Sequence, residues 1–123
     1  MTRKKLLRIN LISLTLILTL AACAKRPDAI TAISIPIAAY QNLDCTQLAN
    51  ELIVENEQLA ALSISQNKAA TADAVGVFLV GVPAGSVTGN DKEGQIAVSK
   101  GKIISIESAS KAKGCDTSSL VSG

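Results

Sequence analysis

Asp44-Cys45-Thr46-Gln47-Leu48-Ala49-Asn50-Glu51-Leu52 is the stretch on which the fold turns. Asp44 has the side chain of a helix N-cap. Gln47, three residues later, completes a capping-box spacing, in which each side chain satisfies the other residue's backbone N–H. Leu48, Leu52, Leu59 and Leu62 follow at helical spacing, and Glu55 interrupts their apolar stripe. Neither glycine nor proline occurs between Cys45 and Thr71. A helix is predicted from 44 to about 66. Glu55 reads as a carboxylate snorkelling out of a thin two-helix interface, with a functional acid as the less favoured alternative.

Beyond that helix, Ala74 to Asn90 carries no charge and contains Val75, Val77, Phe78, Leu79, Val80 and Val82. Gly81, Gly85 and Gly89 recur every four residues, a spacing that lets backbones approach closely. Pro83 lies among them and would cost about 3 kcal/mol in a helix interior, so Gly81-Val82-Pro83-Ala84-Gly85 reads as a turn. The expectation is a helical approach to Pro83 and then a reversal, forming the apolar tip of a hairpin. Its contact surface comprises Phe78, Val80, Gly81, Val82, Pro83 and Gly85. The alternative is that the run folds back as the domain's own core. A membrane span needs about 20 apolar residues without such a break.

Asn90 and Asp91, with Glu93 behind them, start a second helix. Ile96, Ile103 and Ile106 form its stripe, Lys111 and Lys113 suit its C-terminal end, and Gly114 is its C-cap. Residues 95–107 are also rich in β-branched side chains, and Lys100-Gly101-Lys102 could turn a small β-hairpin. The helix is the favoured reading, and the hairpin stays open.

At the N-terminus, Arg3, Lys4, Lys5 and Arg8 precede an apolar run from Leu11 to Leu20 relieved only by Ser13, Thr15 and Thr19. A basic segment, a short apolar segment and small residues make a secretory signal. Leu20-Ala21-Ala22-Cys23 resembles the lipobox of bacterial lipoproteins. That resemblance implies cleavage before Cys23, a thioether-linked diacylglyceryl group on its sulfur and acylation of its amine. An ordinary signal with a chance cysteine at the cut is the plainer alternative. Residue 24 is alanine, where an aspartate would resemble the inner-membrane retention signal of enteric bacteria. The expected location is the cell envelope, lipid-anchored, on the outer membrane facing the periplasm.

With Cys23 carrying lipid, Cys45 and Cys115 remain in an oxidising compartment, where such a pair forms a disulfide; two free buried thiols are the alternative. Closing a loop of about 70 residues stabilises a domain by roughly 4 kcal/mol. Pro83 lies 38 residues after Cys45 and 32 before Cys115, so two nearly equal antiparallel arms can close the bridge. An up-down-up three-helix bundle would put the cysteines at opposite ends, beyond disulfide reach. The expected fold is all-α, a small antiparallel helical hairpin closed by one disulfide over 44–115. A signal peptide (1–22) and a flexible lipidated tether (23–43) precede it, and a flexible tail (116–123) follows.

The tether reading rests on Pro27 and Pro36 and on an alternation, Ile33-Ser34-Ile35-Pro36-Ile37, too short for a stable strand. A flexible chain of that length spans roughly 25 Å. Lys25 and Arg26 would favour anionic headgroups beside the lipid. The alternating isoleucines could instead pair with a partner's sheet edge.

The 123-residue chain carries 12 basic and 10 acidic residues, for a net charge of +2. Four of the basic residues and none of the acidic ones precede Cys23, so the chain from Cys23 onward has eight basic and ten acidic side chains. Such an acidic balance removes the electrostatic support a nucleic-acid reader needs. Two aromatic residues, Tyr40 and Phe78, offer little for stacking on bases or sugars.

The pattern Tyr40-Gln41-Asn42-Leu43-Asp44-Cys45-Thr46-Gln47-Leu48 is similar to one in small, largely uncharacterised Gram-negative lipoproteins. These pair it with a proline-containing apolar stretch, here at Pro83, a Gly-Asn-Asp-like break, here Gly89 to Asp91, and a charged helix ending Lys113-Gly114-Cys115. The likeness covers roughly Tyr40 to Cys115. It implies a lipidated, helical, disulfide-linked protein and supplies no catalytic residue. The chain departs from the pattern at Gly81 and Gly85, where bulkier apolar residues are expected, which weighs against membrane insertion of the tip.

Motifs for chemistry are sparse. Histidine is absent, which removes the commonest general base and metal ligand, and the paired cysteines leave no soft metal site. Ser65/Lys68 and Ser108/Lys111 have the Ser-x-x-Lys spacing of acyl-transfer enzymes without their companion motifs. No glycine-rich phosphate loop or regular calcium loop occurs. The expectation is a non-enzymatic protein without cofactor or metal. It is read as a structural or interaction module of the envelope, held at the membrane by lipid and binding another protein. The alternative is an immunity- or exclusion-type lipoprotein acting on membranes through the 74–90 tip.

Overall fold

A computed structural model of the chain describes residues 23–115. The stretches expected as a signal peptide (1–22) and a flexible tail (116–123) lie outside the described residues.

Helix α1 begins where the capping box is written. The Asp44 side chain accepts from the Gln47 N–H at 2.8 Å, and the Gln47 side chain accepts from the Asp44 N–H at 2.9 Å. The helix spans Cys45–Val80, well past the expected end near residue 66. The leucine stripe fades after Leu62, but the same helical face continues as Gln66, Ala69, Ala70 and Asp73, all buried. Gly81, at φ 74°, ends α1 in the left-handed conformation that glycine adopts without strain. The turn expected at Gly81–Gly85 is therefore present. Helix α2, the single turn Ala84–Val87, follows Pro83 and folds back on α1.

Helix α3, Glu93–Lys113, returns antiparallel to α1 and ends on Gly114 (φ 71°). Residues 95–107 lie inside it, which settles the helix-or-hairpin alternative for the helix. Its β-branched residues are accommodated by packing, since Ile96 and Ile106 are fully buried against α1. Cys45 and Cys115 are bonded, with their Cα atoms 5.5 Å apart. The protein is an all-helical antiparallel hairpin closed by one disulfide.

The core is thin and divided. At the disulfide end, Leu48, Leu52, Ile106 and Ala109 form a cluster flanked by Tyr40, Leu43, Ile103 and Cys115. Towards the tip, Ala24, Ala69 and Ala70 form a second cluster. Polar Glu55 and Ser99 are buried on the facing helices, and Glu55 does not snorkel. Glu55 accepts from Lys102 Nζ at 2.7 Å and from the Ser99 hydroxyl at 3.0 Å. The hydrogen bond to Glu55 raises Lys102 above its ordinary 10.5, against the opposing effect of burial.

The stretch expected as a flexible tether is laid along the helices. Ile30 is buried. Lys100 Nζ donates to the carbonyls of Pro27 and Ile30 at 2.6 and 2.7 Å, and the Ile33 N–H donates to the Ala97 carbonyl at 3.1 Å. The Ser105 hydroxyl donates to the Ile35 carbonyl. Gly101 permits this approach: a Cβ there would run into the Ile33 carbonyl oxygen and lie 3.2 Å from its carbon. Small side chains on α1 and α3 leave a channel, and backbone fills it. Two short 3-10 turns, Pro27–Ala29 and Ile37–Tyr40, punctuate the segment where its prolines stand.

Candidate functional site

The hydrogen bonds of Asp73 determine where the N-terminal end of the described chain is held. Asp73 lies on the inward face of α1, fully buried, with no cationic partner among the described residues. Its Oδ2 accepts from the Ala24 N–H at 2.6 Å and the Ser86 hydroxyl at 2.5 Å, while Oδ1 accepts from the Ser86 N–H at 2.7 Å. Burial pushes this carboxyl up. Hydrogen bonds from the Ser86 hydroxyl and the backbone N–H groups of Ala24, Ser86 and Gly85 outweigh that and hold it below its ordinary 3.8. Neutralisation by directed N–H dipoles makes a buried carboxylate tenable without a countercharge.

Gln66, two turns earlier on the same face, repeats the arrangement. Its Nε2 donates to the Lys25 carbonyl at 2.7 Å, and its Oε1 accepts from the Lys92 N–H at 2.5 Å. Two polar side chains of α1 thus each hold the N-terminal segment with one atom and the 86–92 loop with another. Lys25 and Glu93 add an exposed ion pair at 2.6 Å between the N-terminal segment and the first residue of α3.

The consequence is directional. Ala24 lies beside Ala69, Ala70 and Asp73, and Tyr40 packs on the Leu48–Ile106 cluster at the far end. The segment therefore runs from the tip end toward the disulfide end. Cys23, exposed, stands one residue outside a buried clamp, on the tip side of it.

Among the described side chains of the uncharged run, Gly85 is buried, Gly76, Pro83 and Ser86 are half-buried, and the others are exposed. On the α1 side Phe78 is 87%, Leu79 70% and Val80 73% exposed, and Val82 in the turn is 46% exposed. On the α2 side, Gly85 is buried against Ala69, where a Cβ would lie 2.9 Å from the Ala69 Cα. Of the six residues expected as contact surface, Phe78, Val80, Gly81 and Val82 are exposed, Pro83 is half-buried and Gly85 is internal. Gly81 and Gly85 have local causes: Gly81 supplies a left-handed cap and Gly85 a close approach.

Of the two Ser-x-x-Lys pairs, Ser65 and Lys68 line one groove together with Ala69, Ala72, Gly85 and Thr88. The Ser108 hydroxyl donates to the Ile104 carbonyl at 2.7 Å, leaving Lys111 exposed and apart. Lys68 is exposed on a shallow groove with Ile64, Asn67, Thr71, Ala72 and Val75. Among the described residues, no group of three or more His, Cys, Asp or Glu side chains is placed to hold a metal.

Asp73, Ser86 and Gln66 are not singled out in the sequence, and Lys100 reads there only as part of a possible hairpin turn. A signal did exist for two of them. Continued at helical spacing, the Leu48–Leu62 stripe passes through Gln66 and Asp73, and a polar residue on a buried stripe needs a partner. Comparison with family models, with curated proteins and with solved structures returns no match.

Proposed function

We propose that this protein is a lipid-anchored, non-catalytic structural or interaction module of the bacterial cell envelope, on the outer membrane facing the periplasm. The observation that carries the reading is Cys23. It follows a basic and apolar leader and the lipobox-like Leu20-Ala21-Ala22, and it stands exposed at the edge of the folded body. The Cys45–Cys115 bridge fits export to an oxidising compartment. Apart from Ser110, the hairpin's buried polar side chains are engaged in holding segments together, which suits a scaffold better than a reaction centre.

Expression of Cys23→Ser in a Gram-negative host tests this. The variant is expected to keep residues 1–22 and to lose the detergent-phase partitioning of the wild-type protein. Unchanged processing and partitioning of the variant would contradict the proposal.

A further inference from the structure

We infer that the exposed end of α1 and the following turn, centred on Phe78, Leu79, Val80 and Val82, insert into the interfacial layer of the bilayer that carries the Cys23 lipid. The inference rests on the proposed lipid anchor and adds a second membrane contact beside it.

Three observations converge. First, the anchor and the apolar tip share one pole of the hairpin: Asp73 binds the backbone N–H of the residue after Cys23, and the same helix ends at Val80. Because the 24–35 segment is bonded along its length to α1 and α3, the chain has no slack to carry the body away from its lipid.

Second, the distances match. From Asp73 to Val80 is seven residues, about 10 Å of helix rise. With Cys23 at headgroup level and α1 near the membrane normal, the tip reaches the depth of about 5–10 Å at which interfacial apolar faces lie. Third, the side chains suit that depth. No charged residue occurs between Ala74 and Asn90, and four large apolar side chains are left in the open. Arg26 and Lys68, both exposed and without an ion-pair partner among the described residues, stand behind them where headgroup phosphates would be. No described helix is long and apolar enough to cross a membrane, so the contact is a shallow one.

The natural chain contains no tryptophan, so Phe78→Trp gives a single reporter at a position 87% exposed, where the larger ring is tolerated. The full-length protein, processed in a Gram-negative host, is extracted and reconstituted into phosphatidylethanolamine–phosphatidylglycerol vesicles, and its acyl mass is measured. Blue-shifted indole emission from the Phe78→Trp variant, quenched by lipids brominated near the headgroup end of the chain, is the expected result. A Gln41→Trp reporter at the disulfide pole should remain water-like and unquenched. Acyl mass on Cys23 with unquenched, water-like emission from the Phe78→Trp variant overturns this inference alone. Cys23 without acyl mass overturns the anchoring proposal and this inference with it. Blue-shifted but unquenched emission from that variant, with a doubled particle mass in detergent, means that a second copy covers the tip, and also overturns it.

Discussion

Replacing Asp73 with alanine should loosen both the start of the folded chain and the 86–92 loop. The carboxylate accepts from two backbone N–H groups, those of Ala24 and Ser86, and from the Ser86 hydroxyl. The hydroxyl can turn to another acceptor, but the two N–H groups cannot. A buried donor left without a partner costs about 1–3 kcal/mol, so two would cost about 2–6 kcal/mol. Relief from the desolvation of a buried carboxylate offsets part of this, leaving about 2–4 kcal/mol. At roughly 4–8 °C per kcal/mol for a domain of this size, the melting temperature should fall by about 8–32 °C.

Amide hydrogen exchange is the sharper assay, because Asp73 joins segments and the disulfide holds the opposite pole. Protection should drop at Ala24 and Ser86 while Leu52 and Ile106 keep theirs. The effect is also pH-dependent. The folded carboxyl lies below its ordinary 3.8, so its stabilisation is present above that value and is lost as pH falls through the folded value. The difference between wild type and Asp73→Asn should therefore shrink below pH 3.8. A melting temperature within a few degrees of wild type, with Ala24 and Ser86 still protected, would refute the clamp.

Further perturbations separate the other elements. Cys115→Ser should lower stability by about 4 kcal/mol, read by chemical denaturation with and without reductant, and reductant should leave the variant unaffected. Gly101→Ala should destabilise and expose the 27–35 segment to protease, because the new Cβ meets the Ile33 backbone. Gly94→Ala, with open space around it, should stabilise by about 0.4–1 kcal/mol. Val80→Asp with Val82→Asp should leave the melting temperature of the detergent-solubilised protein nearly unchanged, since both side chains are largely exposed; unfolding would show that the tip is core.

Features set by neighbouring residues could be read from the chain. Asp44 and Gln47 lie three residues apart, and their box forms as written. Gly81 and Gly114 cap helices because each supplies its own left-handed φ. The disulfide followed from cysteine arithmetic and from matched arm lengths. What the chain concealed depends on partners far away in sequence. The helix was expected to stop near 66 because its apolar period fades there, yet Gln66 and Asp73 are buried by residues about 41 and 49 positions earlier. Local periodicity carries no record of such partners.

The tether was misjudged for the same reason. Pro27 and Pro36 do prevent a strand or long helix, but the carbonyls they leave free are taken by Lys100 and Ser105, some 70 residues on. Gly101, read as a possible hairpin turn, is a helix-interior glycine whose missing side chain makes room for Ile33. Glu55 broke the apolar pattern because Lys102 and Ser99 answer it from the facing helix.

The most direct test of membrane anchoring is the intact mass of the wild-type protein extracted from the membrane fraction of a Gram-negative host. Lipid anchoring predicts a chain beginning at Cys23, without residues 1–22, and heavier than its amino acids by a diacylglyceryl group and a third acyl chain. A chain beginning at any other residue, or one beginning at Cys23 with no added acyl mass, would contradict it.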